Sequence, residues 1–272
     1  MTLLSNHLIL CGHGWLGSHI SRQASQSLRL SATTRASEKA KSLRAKGINA
    51  FVFTLGDDPA PLTEIADEAT LVLNIPAGRR QQDLSAYQQH MCELIDTLAD
   101  TALSHLIFTS TTSVYGDTTS SIVTEDTPPA PDTTSAHANA VIEAHLQRKM
   151  PKRYSILRLA GLTGPDRHPV HMLAGKSLDK GNKKINLIHS TDVVAAINVL
   201  IRKGPMNRVL HLSCTQHPKR GEYYTACAEK LLLPAPTFSG TDAPATGKEV
   251  DASLSLALLG LELKVPDPFN MC

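Results

Sequence analysis

A glycine-rich hexapeptide near the start of the chain has the residue types and the spacing of a phosphate-binding loop. Gly12, Gly14 and Gly17 follow an apolar run and open a helical pattern, in the order Gly-His-Gly-Trp-Leu-Gly. Gly12 allows a tight turn, Gly14 lets a pyrophosphate approach the backbone, and Gly17 lets the helix pack closely on the strand. The first amides of that helix, which include those of Trp15 and Leu16, attract the phosphate. In this context the motif predicts a dinucleotide site.

The end of the second apolar run bears on which dinucleotide is bound. A site that prefers NAD usually has an acidic residue there, bonded to the ribose 2′-hydroxyl. This chain has Thr34, Arg35 and Ser37 instead, with Lys39 close behind. Arg35 and Ser37 would bind a 2′-phosphate, so the sequence favours NADP and leaves NAD open; alternatively, Arg35 stacks on the adenine or faces water. Asp57, after the third run, is a candidate adenine contact or a turn residue.

The elements that would position these residues follow a regular alternation. Short apolar runs alternate with helical patterns, which predicts an α/β fold with a Rossmann-like, doubly wound parallel sheet. The runs are almost continuously apolar, so helices should cover both faces of the sheet. Strands are predicted at 7–11, 28–34, 50–55, 70–75, 105–110, 154–162, the start of 185–201, and 208–213, and helices at 37–47, 81–102, 134–146, the remainder of 185–201, 223–233 and 252–260.

The later part of the chain is less regular. A segment rich in Gly, Pro, His and Lys covers 163–184, and an irregular tail covers 214–272. We therefore predict an NAD(P)-binding Rossmann domain over 1–165. Residues 166–272 are predicted to form mainly a small C-terminal substrate cap, with 185–213 returning to the Rossmann core.

Five stretches occur in an informative order. They are LILCGHGWLG, LVLNIPAG, FTSTTSVYGD, ILRLAGLTGPDR and NLIHSTDVVAAI, and together they span residues 8–197. In this order they resemble the extended short-chain dehydrogenase/reductase superfamily, in its NAD-dependent epimerase/dehydratase branch. The resemblance implies NAD(P) binding at the strand ends and a substrate, often a nucleotide-sugar, held by a C-terminal cap. It also implies a possible homodimer formed through the helices that flank the sheet.

The resemblance adds cofactor contacts to those of the glycine loop. After the fourth strand, Asn74, Ile75 and Pro76 would line the cofactor. At the end of the fifth strand, Thr109, Ser110 and Thr111 would lie beside the nicotinamide ribose. At the end of the next long strand, Ala160, Gly161 and Leu162 would lie beside the nicotinamide ring.

The family's proton-transfer residues are replaced in this chain. The family uses a Ser or Thr at the end of the fifth strand and a Tyr-x-x-x-Lys pair on the next helix, where the phenol is the acid/base and the ammonium lowers its pKa. Thr111 corresponds to the first of these. With Glu143 aligned on the family's usual helix acid, Ser135 takes the Tyr position and Asn139 the Lys position. No Tyr-x-x-x-Lys occurs in the sequence, so the predicted catalytic positions hold Thr111, Ser135 and Asn139, and these side chains do not support the usual chemistry.

Four other side chains are alternatives to the missing tyrosine. His137 has a suitable intrinsic pKa but points away from the tyrosine position on the helix. Tyr115 lies near the end of the fifth strand, where a packing role is its alternative. His168 and His189 come from the cap, and each has a structural role as its alternative. Because His168-x-x-His171 has no third ligand at a convincing spacing, no metal is predicted.

The distribution of charge points to an anionic substrate. The formal net charge of +2 lacks the basic excess of a nucleic-acid binder. Residues 146–221 carry 15 Lys and Arg against 3 Asp and Glu, whereas 1–145 carry 9 against 15. Such a block binds phosphate or carboxylate oxygens, or it is an ordinary solvated surface. The candidate substrate contacts are Arg158, Arg167, His168, Lys176 and His189.

Cysteine usage and hydropathy suggest where the protein works. Five cysteines, at 11, 92, 214, 227 and 272, form no C-x-x-C and match no disulfide or metal framework. We therefore expect reduced thiols. No apolar run approaches the ~20 residues of a membrane span, and the N-terminus lacks a basic leader. These features predict a soluble, cytoplasmic protein with no membrane or nucleic-acid partner.

Two functions fit these residues. The first is an oxidoreductase or epimerase for an anionic small molecule such as a nucleotide-sugar, with its acid/base group from the cap or from water relayed by Thr111. The second is a non-catalytic NAD(P)-binding redox sensor or interaction module, because a fold does not carry a function once its site is lost.

Overall fold

The computed structural model describes residues 6–24, 27–78, 84–117 and 121–272. These residues form two compact units. The first takes the described residues of 1–114 with 131–158 and 194–210, and the second those of 115–130 with 159–193 and 211–272. The predicted division lies at residue 165. In the structure, 115–130 and 159–165 belong to the second unit, although residues next to them in sequence belong to the first.

Thirteen strands lie in the described part of the chain. In chain order they are β1 His7–Cys11, β2 Arg29–Thr34, β3 Asn49–Val52, β4 Thr70–Leu73, β5 His105–Thr111, β6 Ile122–Val123, β7 Tyr154–Leu159, β8 Gly161–Thr163, β9 Ser177–Leu178, β10 Leu187–His189, β11 Val209–Leu212, β12 Thr237–Phe238 and β13 Glu249–Val250. Seven of them form a parallel sheet in the order β3-β2-β1-β4-β5-β7-β11. The predicted Rossmann-like α/β fold is confirmed.

Nine α-helices connect or follow these strands in the described residues. They are α1 Trp15–Gln23, α2 Ser37–Arg44, α3 Ala60–Thr63, α4 Ser85–Ala99, α5 Thr134–Lys149, α6 Val170–Leu173, α7 Ser190–Lys203, α8 Arg220–Lys230 and α9 Ser253–Leu259, with 3₁₀ turns at Thr112–Tyr115 and Pro268–Met271. None of these helices combines the length and the apolar character that a bilayer crossing requires.

The central strands are buried on both sides, as their composition predicts. Every residue of β1 and of β4 is buried, which is the pattern of strands covered by helices on both faces. Helix α4 buries the predicted face, which includes Tyr87, Met91 and Leu98. Residues 81–83 of the predicted helix lie outside the described residues. The possible homodimer through the flanking helices stays a prediction.

The predicted strand at 154–162 is in fact two strands. The amide of Ala160 donates to the carbonyl of Leu212 in the main sheet, whereas the next amide, of Gly161, donates to the carbonyl of Asn186. The chain therefore leaves the main sheet at this point, and β8 pairs in parallel with β10. A continuous apolar run in the sequence does not reveal such a change of partner.

The second unit is built from three short parallel strand pairs and its own apolar cluster. The pairs are β8 with β10, β9 with β12 and β6 with β13. Val170, Leu187 and Tyr223 belong to the apolar cluster. A disulfide joins Cys227 to Cys272, so the prediction of reduced thiols is wrong for this pair. The residues are 45 positions apart, and only the packing of the chain brings them together.

Candidate cofactor site and active-site positions

A cavity of about 600 Å³ opens in the first unit at the carboxyl ends of neighbouring parallel strands. This edge of an open α/β sheet is where such folds bind their ligands. Seven of the predicted cofactor residues line the cavity: Gly12, Gly14, Thr34, Arg35, Asn74, Ile75 and Pro76.

The three glycines of the loop have distinct geometries. Gly12 has φ +96°, and a Cβ atom there would lie 2.5 Å from the carbonyl oxygen of Asn74. A Cβ atom on Gly17 would lie 3.2 Å from the oxygen of Gly12, so this glycine permits close packing of α1 on the turn. A Cβ atom on Gly14 would have no atom within 4 Å, because it would face open space. Gly14 is also the N-cap of α1, and no side chain caps the helix start. The loop thus offers an approach for a phosphate beside open helix amides.

Side chains from other elements fix the loop. The amide of Gly12 donates to Thr33 Oγ1 at 2.8 Å, and Asn74 Nδ2 donates to the Gly12 carbonyl at 3.2 Å. Lys39 Nζ donates to the carbonyl of His13 at 2.5 Å. Asn74 Oδ1 accepts from Thr109 Oγ1 at 3.0 Å. Thr33 of β2, Lys39 of α2 and Asn74 after β4 therefore hold the loop directly, and Thr109 of β5 acts through Asn74.

The cavity has a basic lining near the end of β2. Arg35 and Lys39 both line it, and no Asp or Glu is among the described residues that do. Burial, reinforced by the cation of Lys39, lowers the pKa of His13, so this imidazole is neutral near pH 7. The positive charge at this end therefore comes from Arg35 and Lys39.

Asp57 and Ser37, both predicted as cofactor contacts, lie outside this lining. The Asp57 carboxylate accepts a hydrogen bond from the amide of Thr54 at 2.7 Å, as a turn residue does, and its adenine contact stays a prediction. Ser37 is the exposed first residue of α2. Trp15 and Leu16 follow the loop on α1, and Trp15 packs its ring against His19 with centroids 4.5 Å apart.

The three residues at the end of β5 point in different directions. Thr109 Oγ1 donates to Leu73 O and Asn74 Oδ1, whereas Ser110 Oγ points inward and donates to Glu143 Oε1 at 2.5 Å. Successive side chains of a strand face opposite sides, so Ser110 cannot share the face of its neighbours. Its bond lies in the interior, and its predicted cofactor contact stays a prediction.

A buried ion pair joins Glu143 of α5 to Arg158 of β7. Arg158 Nη2 lies 2.5 Å from Glu143 Oε2, and Nε lies 3.2 and 3.1 Å from the two carboxylate oxygens. The side chains are 4% and 3% exposed, respectively. Arg158 is predicted above to contact the substrate. The structure gives it an internal partner that strand burial alone does not indicate, and its contact with substrate stays a prediction.

The catalytic positions of α5 carry locally bonded side chains. Asn139 Nδ2 donates to the carbonyl of Ser135 at 2.7 Å, one turn earlier in the same helix. Ser135 Oγ lies 3.4 Å from Thr133 Oγ1, the residue that caps the helix. Thr111 Oγ1 donates to Ser113 Oγ and accepts from its amide. His137 is exposed. The three roles proposed for Thr111, Ser135 and Asn139 stay predictions.

Two alternatives to the tyrosine have structural roles in the second unit. Tyr115 is 1% exposed; its hydroxyl donates to the Thr124 carbonyl and lies 2.5 Å from His211 Nε2. His168 is 7% exposed and its Nε2 lies 2.8 Å from the Tyr223 hydroxyl. Burial, with a smaller contribution from His171, lowers the pKa of His168 to about 4. Tyr115 and His168 therefore have structural contacts of the kind named as their alternatives, and the contact of His168 with substrate stays a prediction.

The remaining predicted contacts also belong to the second unit. Lys176 is exposed and Arg167 is partly buried, with its backbone paired to Gly164. His189 is partly buried, its Nδ1 accepts from the amide of Thr191, and burial lowers its pKa. The contacts of Arg167, Lys176 and His189 with substrate stay predictions. So do those of Ala160, Gly161 and Leu162 with the nicotinamide ring.

Sequence comparison decides the family. The pattern of the NAD dependent epimerase/dehydratase family matches residues 7–212. The chain belongs to this family. It is also 32% identical to protein YeeZ of Escherichia coli K12, over 96% of this chain and 97% of that protein.

Solved structures share the fold of this family member. UDP-glucuronic acid 4-epimerase from Bacillus cereus, in complex with NAD, has a TM-score of 0.79 at 16% identity, covering 97% of this chain and 95% of that one. MoeE5 in complex with UDP-glucose and NAD has a TM-score of 0.78 at 17% identity, covering 97% and 96%. At these identities the likeness establishes the fold.

Several cavity residues of this family member were not predicted from the sequence. They come from the loop itself, the end of the second strand, the segment after the third strand, and α4. They are His13, Thr33, Phe53, Thr54, Leu55, Tyr87 and His90. A sequence signal existed for the strand ends, since all parallel strands present their carboxyl ends at one edge. Tyr87 shares the buried face of α4, and only the structure shows its hydroxyl donating to Ile75 O.

Proposed function

We propose that this protein is an NAD(P)-dependent oxidoreductase or epimerase that acts on an anionic small molecule such as a nucleotide-sugar. The observation that carries the proposal is the cavity of the first unit, with its glycine loop, its open helix start and its basic lining. When bound, the dinucleotide supplies the hydride transfer, and the protein has to position it and handle one proton.

The substrate class rests on charge and on the relatives. The residues 146–221 that carry the basic excess include Arg167 and Lys176, which remain candidates to bind phosphate or carboxylate oxygens. The structural relatives named above act on UDP-glucuronic acid or are complexed with UDP-glucose. This supports a nucleotide-sugar as the first class of substrate to test.

A group other than the family's tyrosine would transfer the proton. Thr111 keeps the family's hydroxyl position and would relay a proton through water. His189, which is only partly buried, is the candidate from the second unit. Ser135 and Asn139 would contribute polar contacts rather than an ionisable group.

A turnover assay tests the enzymatic proposal. UDP-hexoses and UDP-hexuronic acids are incubated with the protein and NAD(H) or NADP(H), and cofactor absorbance and epimer ratio are followed. We expect turnover of at least one substrate, and a fall of about 10²- to 10⁴-fold in kcat for Thr111→Val, which removes the hydroxyl, because that is the usual contribution of general acid–base catalysis. Thr111→Ser, which keeps the hydroxyl, is the matched control. Equal kcat for Thr111→Val and wild type would remove Thr111 from the mechanism.

A non-catalytic NAD(P)-binding sensor is the second candidate. The local bonding of Asn139 to the backbone of Ser135 favours it, because this amide serves its own helix. In that case the dinucleotide would stabilise the protein, by about 2.7 kcal/mol at 100 times its Kd, while every substrate of the panel stayed unconverted. No stabilisation by either dinucleotide would contradict both candidates.

The preference for NADP is a separate proposal that rests on Arg35 and Lys39. The two structural relatives hold NAD, so the preference comes from this chain's own cavity lining. We expect Arg35→Ala to weaken NADPH binding about 10- to 100-fold, which is the size of a lost charge-assisted bond, and NADH binding less than threefold. Calorimetry of both dinucleotides measures this, with Arg22→Ala on the exposed side of α1 as control. An equal effect on NADH and NADPH would assign Arg35 to the adenine or to solvent.

A further inference from the structure

Three side chains of the types that bind metal ions lie close together inside the second unit. A ring nitrogen of His168 and the sulfur atoms of Cys227 and Cys272 all lie within 4.8 Å of one another. They come from separate elements: His168 precedes α6, Cys227 lies in α8, and Cys272 follows the 3₁₀ turn Pro268–Met271. Their positions in sequence are 59 and 45 residues apart, so no spacing motif reveals the cluster.

We propose that this cluster is a redox-dependent zinc site, closed as a disulfide when oxidised and able to bind Zn²⁺ when reduced. A dithiol reductant donates two electrons to the Cys227–Cys272 bond and itself becomes a disulfide. The two thiols each release a proton as they bind Zn²⁺. His168 supplies the third ligand and water the fourth, which is a ligand set that zinc accepts.

Burial explains why a cation would be favoured there. Cys227 is fully buried, and His168 is 7% exposed. Two thiolates in this environment would be costly without a counter-charge. A divalent cation makes the set of two thiolates and one imidazole neutral, so the complex can stay in the interior.

The geometry requires a local movement and the release of one hydrogen bond. Because Nε2 of His168 donates to Tyr223, Nδ1 is the nitrogen left for the metal, and it now accepts from the amide of Val170 at 3.3 Å. Two thiolates at Zn–S distances of ~2.3 Å stand roughly 3.7 Å apart, so the sulfur atoms must separate. Cys227 is held within α8, whereas Cys272 is partly buried and follows a short turn. The movement would therefore fall on Cys272.

The histidine already has the outer contact expected of a ligand. The Tyr223 hydroxyl donates its one proton to the Pro268 carbonyl at 3.1 Å, so it accepts from Nε2 of His168 at 2.8 Å. A bond of this kind orients the ring of a ligating histidine. Pro268 begins the turn before Cys272, so the same bonds tie His168 to the segment that carries the second thiol. A bound cation would keep α8 linked to this segment under conditions that reduce the disulfide.

A cadmium and zinc titration tests the site. The full-length protein is reduced with a phosphine, stripped with a chelator, and titrated with Cd²⁺ while thiolate-to-metal charge-transfer absorbance is followed. We expect one Cd²⁺ per chain in the reduced protein and none in the oxidised protein. Cys272→Ser should weaken binding at least 100-fold and His168→Gln at least tenfold. Cys92→Ser, which alters a partly buried free cysteine of α4, should bind as wild type.

Thermal unfolding provides a readout that needs no variant. Zn²⁺ should raise the melting temperature of the reduced protein and leave that of the oxidised protein unchanged. A reduced protein that binds no Cd²⁺ and gains no stability from Zn²⁺ would overturn the proposal. Binding that is unchanged in Cys272→Ser would overturn it as well, since the cation would then lie elsewhere.

Discussion

Replacing Gly12 with alanine is expected to destabilise the protein by about 3 kcal/mol and to abolish dinucleotide binding. The left-handed backbone costs a side-chain-bearing residue roughly 1–2 kcal/mol, and an overpacked methyl group adds roughly 1–3 kcal/mol. Here the methyl group would lie 2.5 Å from the oxygen and 2.9 Å from the carbon of the Asn74 carbonyl. Both are backbone atoms of the cavity wall, so neither can turn aside. Denaturant unfolding and calorimetry with NADH and NADPH measure the two effects.

Gly14→Ala separates binding from stability. Gly14 has a negative φ of −85°, and its added Cβ would meet no atom within 4 Å. We expect its stability to stay within about 1 kcal/mol of wild type, because no mechanism of large destabilisation applies. Dinucleotide binding should nevertheless fall at least tenfold, since the methyl group would occupy the path of the pyrophosphate. Wild-type affinity in Gly14→Ala would show that the phosphates do not approach this residue.

Removing Arg158 is expected to cost about 3–5 kcal/mol, the usual penalty for leaving a buried charge without its partner. Arg158→Met keeps most of the side-chain volume and leaves the Glu143 carboxylate in the interior, where Ser110 still donates a hydrogen bond to it. The double variant Glu143→Met/Arg158→Met removes both charges. It should recover most of the lost stability, because apolar replacements of a whole buried pair are often neutral.

Urea unfolding of Arg158→Met, of Glu143→Met and of the double variant measures the coupling free energy between the two side chains. A double variant less stable than either single variant would contradict the ion-pair explanation and assign the cost to packing. Substrate affinity of the double variant addresses the earlier prediction for Arg158. A specific loss of substrate binding in a protein of normal stability would restore Arg158 to the substrate site.

The main-sheet strands and the glycine loop were predictable because their signals are local. A strand buried on both faces needs a short apolar run, and β1 at 7–11 is found where it was predicted. The turn at Gly12 needs a residue that tolerates a positive φ, and close packing of α1 on this turn needs a small residue at Gly17. Each requirement is met by residues within a few positions, so one sequence is sufficient to state it.

The direction of individual side chains was less predictable. Ser110 lies between two outward-facing threonines and bonds inward to Glu143. In the sequence Arg158 is one of the basic residues of a charged block, whereas in the structure it pairs with Glu143 of α5. The sequence left Asp57 as either an adenine contact or a turn residue, and in the structure its carboxylate accepts a turn hydrogen bond from the amide of Thr54. The direction depends on the strand face for Ser110, on a residue of another helix for Arg158 and on a turn amide for Asp57. The composition of the sequence specifies none of these.

The sequence by itself determined the family, the parallel α/β order, the glycine loop and the absence of a Tyr-x-x-x-Lys pair, because these depend on residue identity and on short-range spacing. The tertiary structure alone decided the change of strand partner at Gly161, the burial of the Glu143–Arg158 pair, and the meeting of His168 with Cys227 and Cys272. The physical reason is the same for all three. They join residues that are far apart along the chain, and only the burial of the apolar surface around them brings those residues into contact.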